Sequence, residues 1–517
     1  MATFQTTPIL FAHTVAAAEA QRAIDKEIAA HEAAIRDLKL GAKRNAHSSI
    51  SRLPSEIMAA IFISLKITVD WAALGVCRHW REILLSSPRI WSSIGVHSAK
   101  WTSELLRRSK SAPLHVNYAP AYYTEQHLRV AETIMAELGR IQHLNLALHA
   151  SFIVDLLSRN GGASAPMLEH LRLGLAGVMQ SPALPAVVLR DMPSLRYLEL
   201  THIGLSSAKL PPLPRLTHLK LGYTTIHTSQ LLRLFQHTSN LEEVEITGLV
   251  MDSHMDLLGT PVRLPNLTRI SISSSEKLEV ATIFTNIEYP PTTHVTFNHG
   301  HSYTEEPNLS GLLKLCRRFA EIDRLVIDEV ILDGLVGYLE MVVKTRYHQP
   351  YHLSLFLGID QSHRSTCLTL CSAISPENVS VLKMGGFYGM SPTAWTCLYR
   401  QFTQVHSLYL KNAPTESIRS LLRSSSTESP LPALQTLDMT ECDFTSEDAE
   451  LIRDLKCLLM ERKSLGTPIR RTTISESSID KKAVEDLLSQ EVTEIHWDCE
   501  EQGIYSDDDI FSTSSNE

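Results

Sequence analysis

An apolar pattern that recurs throughout residues 141–497 constrains the fold of this chain more than any other feature. Each copy reads apolar-x-x-apolar-x-apolar, and the central positions from Leu144 to Leu437 follow one another at steps of 21 to 30 residues. The clearest copies centre on Leu144, Leu171, Leu198, Leu219, Val244, Ile270, Leu325, Leu382, Leu408 and Leu437; weaker ones centre on Val295, Leu353 and Ile495, and a doubtful one lies near Thr472. A near-constant period of this length indicates stacked units that bury their apolar faces on one another.

Between these copies lie amphipathic segments with helical periodicity, at 229–236, 309–319, 331–344, 392–402, 446–462 and 481–489. Alternating strands and helices predict an α/β fold with a parallel sheet lined by helices. A doubly wound sheet also alternates in this way, but it rarely shows so many steps of similar length. The copies resemble the strand part of a leucine-rich repeat, although most lack the Asn or Cys that commonly follows the last strand leucine. We therefore predict an irregular leucine-rich-repeat solenoid over residues 96–497.

A second, non-repeating set of motifs occupies residues 50–94. It reads Leu53-Pro54-Ser55-Glu56-Ile57, Ile61-Phe62, Val76-Cys77-Arg78-His79-Trp80-Arg81 and Ser87-Pro88-Arg89-Ile90-Trp91. Proline suits the first turn of a helix, and Ile57, Ile61 and Leu65 at i, i+4 and i+8 form one apolar stripe. A segment this short cannot bury all of its large apolar groups, so a partner or the next domain must cover some of them.

These ordered motifs resemble an F-box, which we predict at residues 48–95; periodicity alone also fits a helical hairpin packed on its own chain. The whole arrangement resembles fungal-type F-box/leucine-rich-repeat proteins. That resemblance implies a substrate-recognition subunit of a Skp–cullin–F-box ubiquitin ligase, with a Skp-family adaptor linking the chain to cullin and RING subunits. The alternative is a non-catalytic binding scaffold without ubiquitin transfer. By resemblance, the residues that bind the adaptor or hold the module together are Leu53, Pro54, Ile57, Ile61, Phe62, Leu65, Val76, Cys77 and Trp80.

The strand residues beside each central apolar position are expected to point away from the core. In a leucine-rich solenoid they line the concave face, so they are our candidates for binding an unknown target protein. They are mostly polar, of mixed charge and rich in histidine: His143, His170, Arg172, Tyr197, Glu199, His218, Lys220, Glu243, Arg269 and Arg324. A charge-matching or pH-sensitive docking face is one interpretation. The other is a solvated sheet whose exposed positions are merely polar.

Composition argues against several other classes of protein. The net charge of −9 gives no general nucleic-acid footprint, and no apolar run is long enough to predict a membrane span. Eight cysteines without a spaced framework fit reduced thiols in the cytoplasm or nucleus. His363, Cys367 and Cys371 share a helical face, but helix packing is favoured over a metal site. Because catalytic and nucleotide-binding motifs are lacking, we predict no enzyme, cofactor or metal.

The two ends of the chain are distinct from these domains. Residues 1–47 are predicted to contain an amphipathic helix followed by a linker near 41–49. Within that helix, Ile24, Ile28, His31, Ile35 and Leu38 follow the 4-3-4-3 spacing of a coiled-coil seam. A dimerising coiled coil and a single helix, either folded back on the F-box or isolated, both fit this pattern. Residues 498–517 are acidic and polar and are predicted to be a disordered tail.

Overall fold

The computed structural model contains two compact units, of which the first comprises residues 1–119 and 124–143 and the second residues 120–123 and 144–517. Among the described helices, none is both long enough and apolar enough to cross a membrane. The structure describes residues 9–46, 53–65, 75–120, 124–149, 152–153, 155–156, 159, 164–176, 182–184, 189, 191–205, 212–224, 226, 228–248, 261–274, 283–290, 292–299, 310–320, 327–333, 338–345, 352–358, 363–374, 376–387, 390–422, 429–444, 450–479, 481–488 and 494–498.

The first unit is mainly helical and carries two short strands. Its elements are α1 (Ile9–Ala46), α2 (Ser55–Ser64), α3 (Arg78–Ser86), a 3-10 turn (Pro88–Trp91), β1 (Ser93–Ile94), α4 (Ala99–Ser109), β2 (Leu114–Tyr118) and α5 (Glu125–Met135). Helix α3 begins where the Cys77 sulfur accepts a hydrogen bond from the Trp80 backbone N–H, which satisfies one of the amide groups that a helix N-terminus leaves unpaired. Strands β1 and β2 pair in parallel, so strand structure begins directly after the Ser-Pro-x-x-Trp motif.

The core of the first unit forms around two tryptophans. The rings of Phe62 and Trp80 meet edge to face with centroids 5.1 Å apart, which joins α2 to α3. The Trp91 indole N–H donates to the carbonyl oxygen of Leu84 at 2.7 Å, and the Arg108 guanidinium lies 4.4 Å from the centre of the Trp91 ring. These contacts anchor the 3-10 turn between α3 and α4 and leave no polar tryptophan atom buried without a partner there.

Helix α1 is longer than predicted and does not pack on the rest of its unit over the residues whose side chains are described. Every side chain from residue 17 to residue 40 is exposed. Of the alternatives for this helix, folding back on the F-box is therefore wrong for these residues, whereas an isolated helix and a dimerising coiled coil both remain. The predicted linker is also partly wrong, because the helix continues through Gly41 to Ala46.

The second unit is dominated by parallel strands, which confirms the predicted parallel sheet. Its first run comprises β4 (His170–Ala176), β6 (Tyr197–Thr201), β8 (His218–Gly222), β9 (Glu243–Thr247), β11 (Arg269–Ser274), β13 (His294–His299) and β16 (His352–Gly358). Its second run comprises β14 (Ile327–Asp333), β17 (Val381–Gly385), β18 (Ser407–Lys411), β19 (Thr436–Thr440), β20 (Arg471–Ser475) and β21 (Glu494–Trp497). Strand β3 (Ile141–His149) crosses the division between the two units. The short parallel pairs are β5 (Ala183–Leu184) with β7 (Gly204–Leu205), and β10 (Val262–Arg263) with β12 (Ile287–Glu288).

Register aligns the repeated leucines into continuous buried rows. Leu171, Leu198 and Leu219 are cross-strand partners, and the row continues through Val244 and Ile270. All five are at most 2 % exposed. Slipping one strand by one residue would move its whole apolar set to the other face, so this burial fixes the register.

Five of the six helices predicted between the strands are present. The five are α6 (Thr228–His237), α7 (Ser310–Ala320), α9 (Pro392–Gln401), α11 (Glu450–Ser464) and α12 (Lys481–Leu488). Two further helices are α8 (His363–Ala373) and α10 (Thr415–Arg419). Helices α7 to α11 contact one another in chain order. Arg419 of α10 ties its helix to α11 by donating to Asp454 at 2.9 Å and to Glu450 at 2.8 Å.

The sixth predicted helix, at residues 331–344, is wrong. The chain there forms the end of β14 and most of β15 (Tyr338–Thr345), which pair as antiparallel strands. Val330, Leu332, Met341 and Val343 are buried and alternate along their strands with the period of two that strands require. The apolar residues of this segment fit both the helical period and the strand period of two, and pairing with neighbouring strands selected the strand. The predicted copy centred on Leu325 lies outside the described residues; in the strand that follows, Val330 is the partner of the central Leu382.

This antiparallel strand interrupts the sheet. The spatial order is β13, β16, β15, β14 and β17, with β15 antiparallel to both of its neighbours. The chain therefore leaves β13, skips two strand positions to form β14, and returns through β15 and β16. A sheet that is parallel throughout, as the repeats predicted, is thus wrong at β15 and correct for the two runs on either side.

A left-handed residue directly after many strands is a second regularity that the sequence did not indicate. These residues are His202, Tyr223, Gly248, Gly386, Asn412, Glu441 and Glu476, with φ between +49° and +67°. The backbone N–H of His202 donates to the carbonyl of Gly222 at 2.7 Å, and that of Tyr223 to Thr247 at the same distance. The left-handed turn thus extends the hydrogen bonding of one copy to the next, including at His202 and Tyr223, whose copies lack the usual Asn or Cys.

Candidate functional site

Helix α2 presents two different apolar faces. Met58 and Phe62, one turn apart, are buried in the core. Ile57 and Leu65 are 49 % and 64 % exposed, and Ile61 between them is half-buried. Positions i, i+4 and i+8 lie along one side of a helix, so the predicted Ile57–Ile61–Leu65 stripe forms a surface beside the buried face.

Helix α3 adds further exposed aliphatic groups to the same unit. Ile83 and Leu84 are buried, whereas Leu85 is exposed, as is Val76 just before the Cys77 cap. Ile63 of α2 is exposed too. Six residues after Ile57, Ile63 lies on the side of α2 away from the Ile57–Ile61–Leu65 stripe, so it is not part of that surface. Sequence reasoning missed Leu85; the available signal was that it is a large aliphatic residue off the buried stripe of its own helix. Large exposed aliphatic residues in so short a segment are characteristic of a surface that binds a partner.

The predicted adaptor-binding set divides into two groups in the structure. Leu53, Pro54, Ile57, Ile61, Leu65 and Val76 are at least partly exposed and could contact another protein. Phe62, Cys77 and Trp80 instead hold the module together: Phe62 is buried against Trp80, and Cys77 caps α3. The division follows the helical faces, because the buried positions lie on the sides where α2 and α3 meet.

Comparison with protein families assigns this module. Residues 50–97 match the F-box-like family model. The F-box part of the predicted resemblance is therefore confirmed, and this F-box-like domain contains α2, α3, the 3-10 turn and β1. No curated protein matches the chain.

The second candidate surface is the polar face of the first run of strands. Register aligns His170, Tyr197, His218, Glu243 and Arg269 in one row across β4 to β11. The next row contains Arg172, Glu199, Lys220 and Glu245. We call these two rows the strand face. Eight of the ten predicted target-binding residues thus come together. Of the others, His143 belongs to the first unit, where its ring stacks on His115 with centroids 4.4 Å apart, and Arg324 lies outside the described residues.

Charges on the strand face are matched by their neighbours. The Arg172 guanidinium lies 3.1 Å from the Glu199 carboxylate, and the Lys220 ammonium lies 2.8 Å from that of Glu245. His218 lies 4.0 Å from Glu243. The face therefore carries both signs of charge in alternation and has no single dominant sign.

Glu199 is the buried residue of the strand face, and Tyr197 beside it is half-buried. The Tyr197 hydroxyl donates to Glu199 at 2.7 Å, and the Tyr197 ring lies between those of His170 and His218. Burial, followed by the hydrogen bond and negative charge of Glu199, raises the pKa of Tyr197 to about 12. The phenol therefore stays protonated and acts as a donor across the physiological range.

Cysteines of α7 and α8 form a buried apolar group. Cys316, Cys367 and Cys371 are at most 1 % exposed. Burial raises the pKa of Cys316 to about 12, and a hydrogen bond with Cys367, followed by burial, raises that of Cys371. In the part of the chain that the structure describes, no group of three or more His, Cys, Asp or Glu side chains could hold a metal ion.

Proposed function

We propose that this chain is a substrate-recognition subunit of a Skp–cullin–F-box ubiquitin ligase, acting in the cytoplasm or nucleus. The F-box-like domain would bind a Skp-family adaptor and, through it, cullin and RING subunits. F-box-like domains in general bind adaptors of this type. The chain would supply no bond-making residue and would contribute by holding the target close to the conjugating enzyme, where proximity raises the rate.

The observation that carries this proposal is the exposed aliphatic surface of the F-box-like domain. Ile57 of α2, Leu65 at the C-terminal cap of α2, Val76 and Leu85 are all between 45 % and 64 % exposed. Leaving such groups in water costs free energy that a protein partner would recover by covering them. Among the described residues, the same helices pack on each other through a different set of side chains, Met58, Phe62, Ile83 and Leu84, which are buried.

For the second unit we infer an irregular leucine-rich-repeat solenoid whose strand face binds the target protein. Support comes from the parallel strands, from helices between them, and from central leucines that align in register. The alternating charges of the strand face favour a polar target surface of mixed charge over a strongly acidic or basic one. This part of the proposal is independent of adaptor binding.

Adaptor binding is tested by titrating the purified full chain with a Skp-family adaptor. We expect Ile57→Asp to weaken binding at least about tenfold, because it places a carboxylate in an apolar interface. Ile63→Asp is the matched control, because Ile63 lies on the same helix as Ile57 and has a similar exposure. Ile63 is, however, outside the predicted stripe. It should change the affinity by less than about twofold. Helicity and melting temperature should match the wild type in both variants.

Two outcomes would overturn this assignment. A folded wild-type chain that does not bind the adaptor would remove the ligase role, and equal losses in the two variants would remove the Ile57–Ile61–Leu65 stripe as the contact. The non-catalytic scaffold is separated by a different measurement, the ubiquitination of proteins captured by the second unit. Ubiquitination that stops when cullin is inactivated supports the ligase, whereas capture without cullin-dependent ubiquitination supports the scaffold.

A further inference from the structure

Helix α1 displays an apolar seam that is exposed to solvent over its described side chains, residues 17–40. Ile24, Ile28, Ile35 and Leu38 are between 49 % and 74 % exposed. With His31 they follow the 4-3-4-3 spacing, which keeps every member on one side of a helix over three turns or more. Because every side chain from residue 17 to residue 40 is exposed, this seam is available along its whole length.

The charges on this helix argue against a membrane as the occupant of the seam. Residues 17–40 contain the basic residues Arg22, Lys26, Arg36 and Lys39 and the acidic residues Glu19, Asp25, Glu27, Glu32 and Asp37. Helices that lie on anionic lipid have a polar face rich in Lys and Arg, whereas this one is balanced and slightly acidic. A balanced polar face beside an apolar seam is typical of a helix that pairs with another helix.

We propose that α1 pairs with α1 of a second copy of this chain, as an antiparallel two-stranded coiled coil. The seam spacing assigns Ile28 and Ile35 to heptad position a, and Ile24, His31 and Leu38 to position d. A seam with this spacing is complementary to itself, because the apolar positions of one copy can pack between those of another. A second copy therefore supplies the partner surface without any further component.

Charge complementarity selects the antiparallel orientation. In a parallel pair, Glu27 at position g faces Glu32 at position e of the second copy, so like charges meet twice. In the antiparallel register that sets Ile28 against the second copy's Leu38, each Asp25 lies beside the second copy's Lys39. That register creates two attractive pairs and reduces the acidic contacts to one, between the two Glu32 side chains.

Sedimentation of the purified full chain over a range of concentrations tests the pairing. We expect a reversible monomer–dimer equilibrium, with Ile28→Asp/Ile35→Asp raising the dissociation constant at least about 100-fold, because four carboxylates would enter the seam. Ala33→Asp/Leu40→Asp, at outward-facing positions of the same helix, is the matched control and should leave the constant within about threefold of wild type. Helix content should be compared for all variants.

Orientation is tested by exchanging charges. Lys39→Asp should weaken the dimer by about threefold to tenfold, and Asp25→Lys in the same chain should restore it. In a parallel pair these positions face Ala20 and Ala34, so neither change would have a cross-helix effect.

Four results would overturn the inference. They are a wild type that stays monomeric, an assembly larger than a dimer, a dimer that survives Ile28→Asp/Ile35→Asp, and a dimer indifferent to the charge exchange. Adaptor binding is measured on the F-box-like domain in the same samples, so its success or failure is a separate result.

Discussion

The exposed side of α2 and α3 differs in kind from the strand face of the second unit. The first presents aliphatic groups, which water solvates poorly and which no polar contact within the chain can satisfy. The second presents charged groups that already pair with one another, as Arg172 does with Glu199 and Lys220 with Glu245. An exposed aliphatic stripe therefore indicates that a partner covers it, whereas a polar face whose charges pair with one another gives no such indication.

Magnitudes support this distinction. Covering a large aliphatic side chain completely is worth about 1.5–3 kcal/mol, so each half-exposed residue such as Ile57 or Val76 offers roughly half of that. An exposed ion pair such as Lys220–Glu245 is worth about 0–1 kcal/mol, and a partner would have to desolvate both groups to use them. The F-box-like surface has the larger driving force for association, and the strand face is better suited to selecting among partners.

The largest expected effect separates packing from binding on a single helix. Phe62→Ala should lower the free energy of unfolding of the first unit by about 3–5 kcal/mol, because Phe62 is buried against Trp80. Ile57→Asp, on the exposed side, should change it by less than about 1 kcal/mol. Denaturant titration followed by tryptophan fluorescence measures both. Equal stability losses would show that the two faces of α2 are not distinct.

The next effect concerns the left-handed turns that bound the strand face. Gly248→Ala should destabilise the second unit by about 1–3 kcal/mol, because φ is +61° and the added Cβ would lie 2.5 Å from the Tyr223 ring. Gly466→Ala is the control, because φ there is +76° but no atom would lie within 4 Å of the added Cβ. Only the cost of a left-handed backbone at alanine, about 1 kcal/mol of stability, should appear. Thermal unfolding compares them. If the two variants are equally destabilised, the Tyr223 contact is unimportant.

A smaller effect sharpens the account of paired charges. Glu199→Gln should cost about 1–3 kcal/mol of stability, because its side chain is only 5 % exposed and holds both Arg172 and Tyr197. Glu245→Gln removes a pair whose side chains are 36 % and 44 % exposed and should cost about 0–1 kcal/mol. Chemical denaturation at pH 7 provides the comparison. A larger loss at Glu245 would contradict the assignment of Glu199 as the buried anchor of the face.

The smallest effect is a pH dependence on the same sheet. Burial, and then the positive charge of Arg269, lowers the pKa of His294 below its ordinary value. As the pH falls below about 6.5, the His294 imidazole therefore becomes protonated in the unfolded chain before it does so in the folded chain. Protonation then favours the unfolded state, so stability falls from that pH downward. In His294→Gln the decline between pH 7 and pH 5 should be shallower than in the wild type, as measured by unfolding at each pH. An unchanged slope would show that His294 does not contribute.

Much of the fold could be predicted because local apolar spacing reports burial directly. The copies centred on Leu171, Leu198 and Leu219 became adjacent strands in the expected register, and five of six predicted helices formed. The segment 331–344 failed because its apolar residues fit both the helical and the strand period. Pairing of β15 with both β14 and β16 selected the strand.

The sequence by itself determined the F-box-like motif and the repeated strands, since these depend on residue type and spacing within a few turns of chain. Tertiary structure alone decided which side of α2 is buried, which charges of the strand face pair, and where β15 reverses the sheet. Each of these joins residues that are distant in sequence. Their free energies depend on which surfaces meet, and a linear pattern carries no information about that.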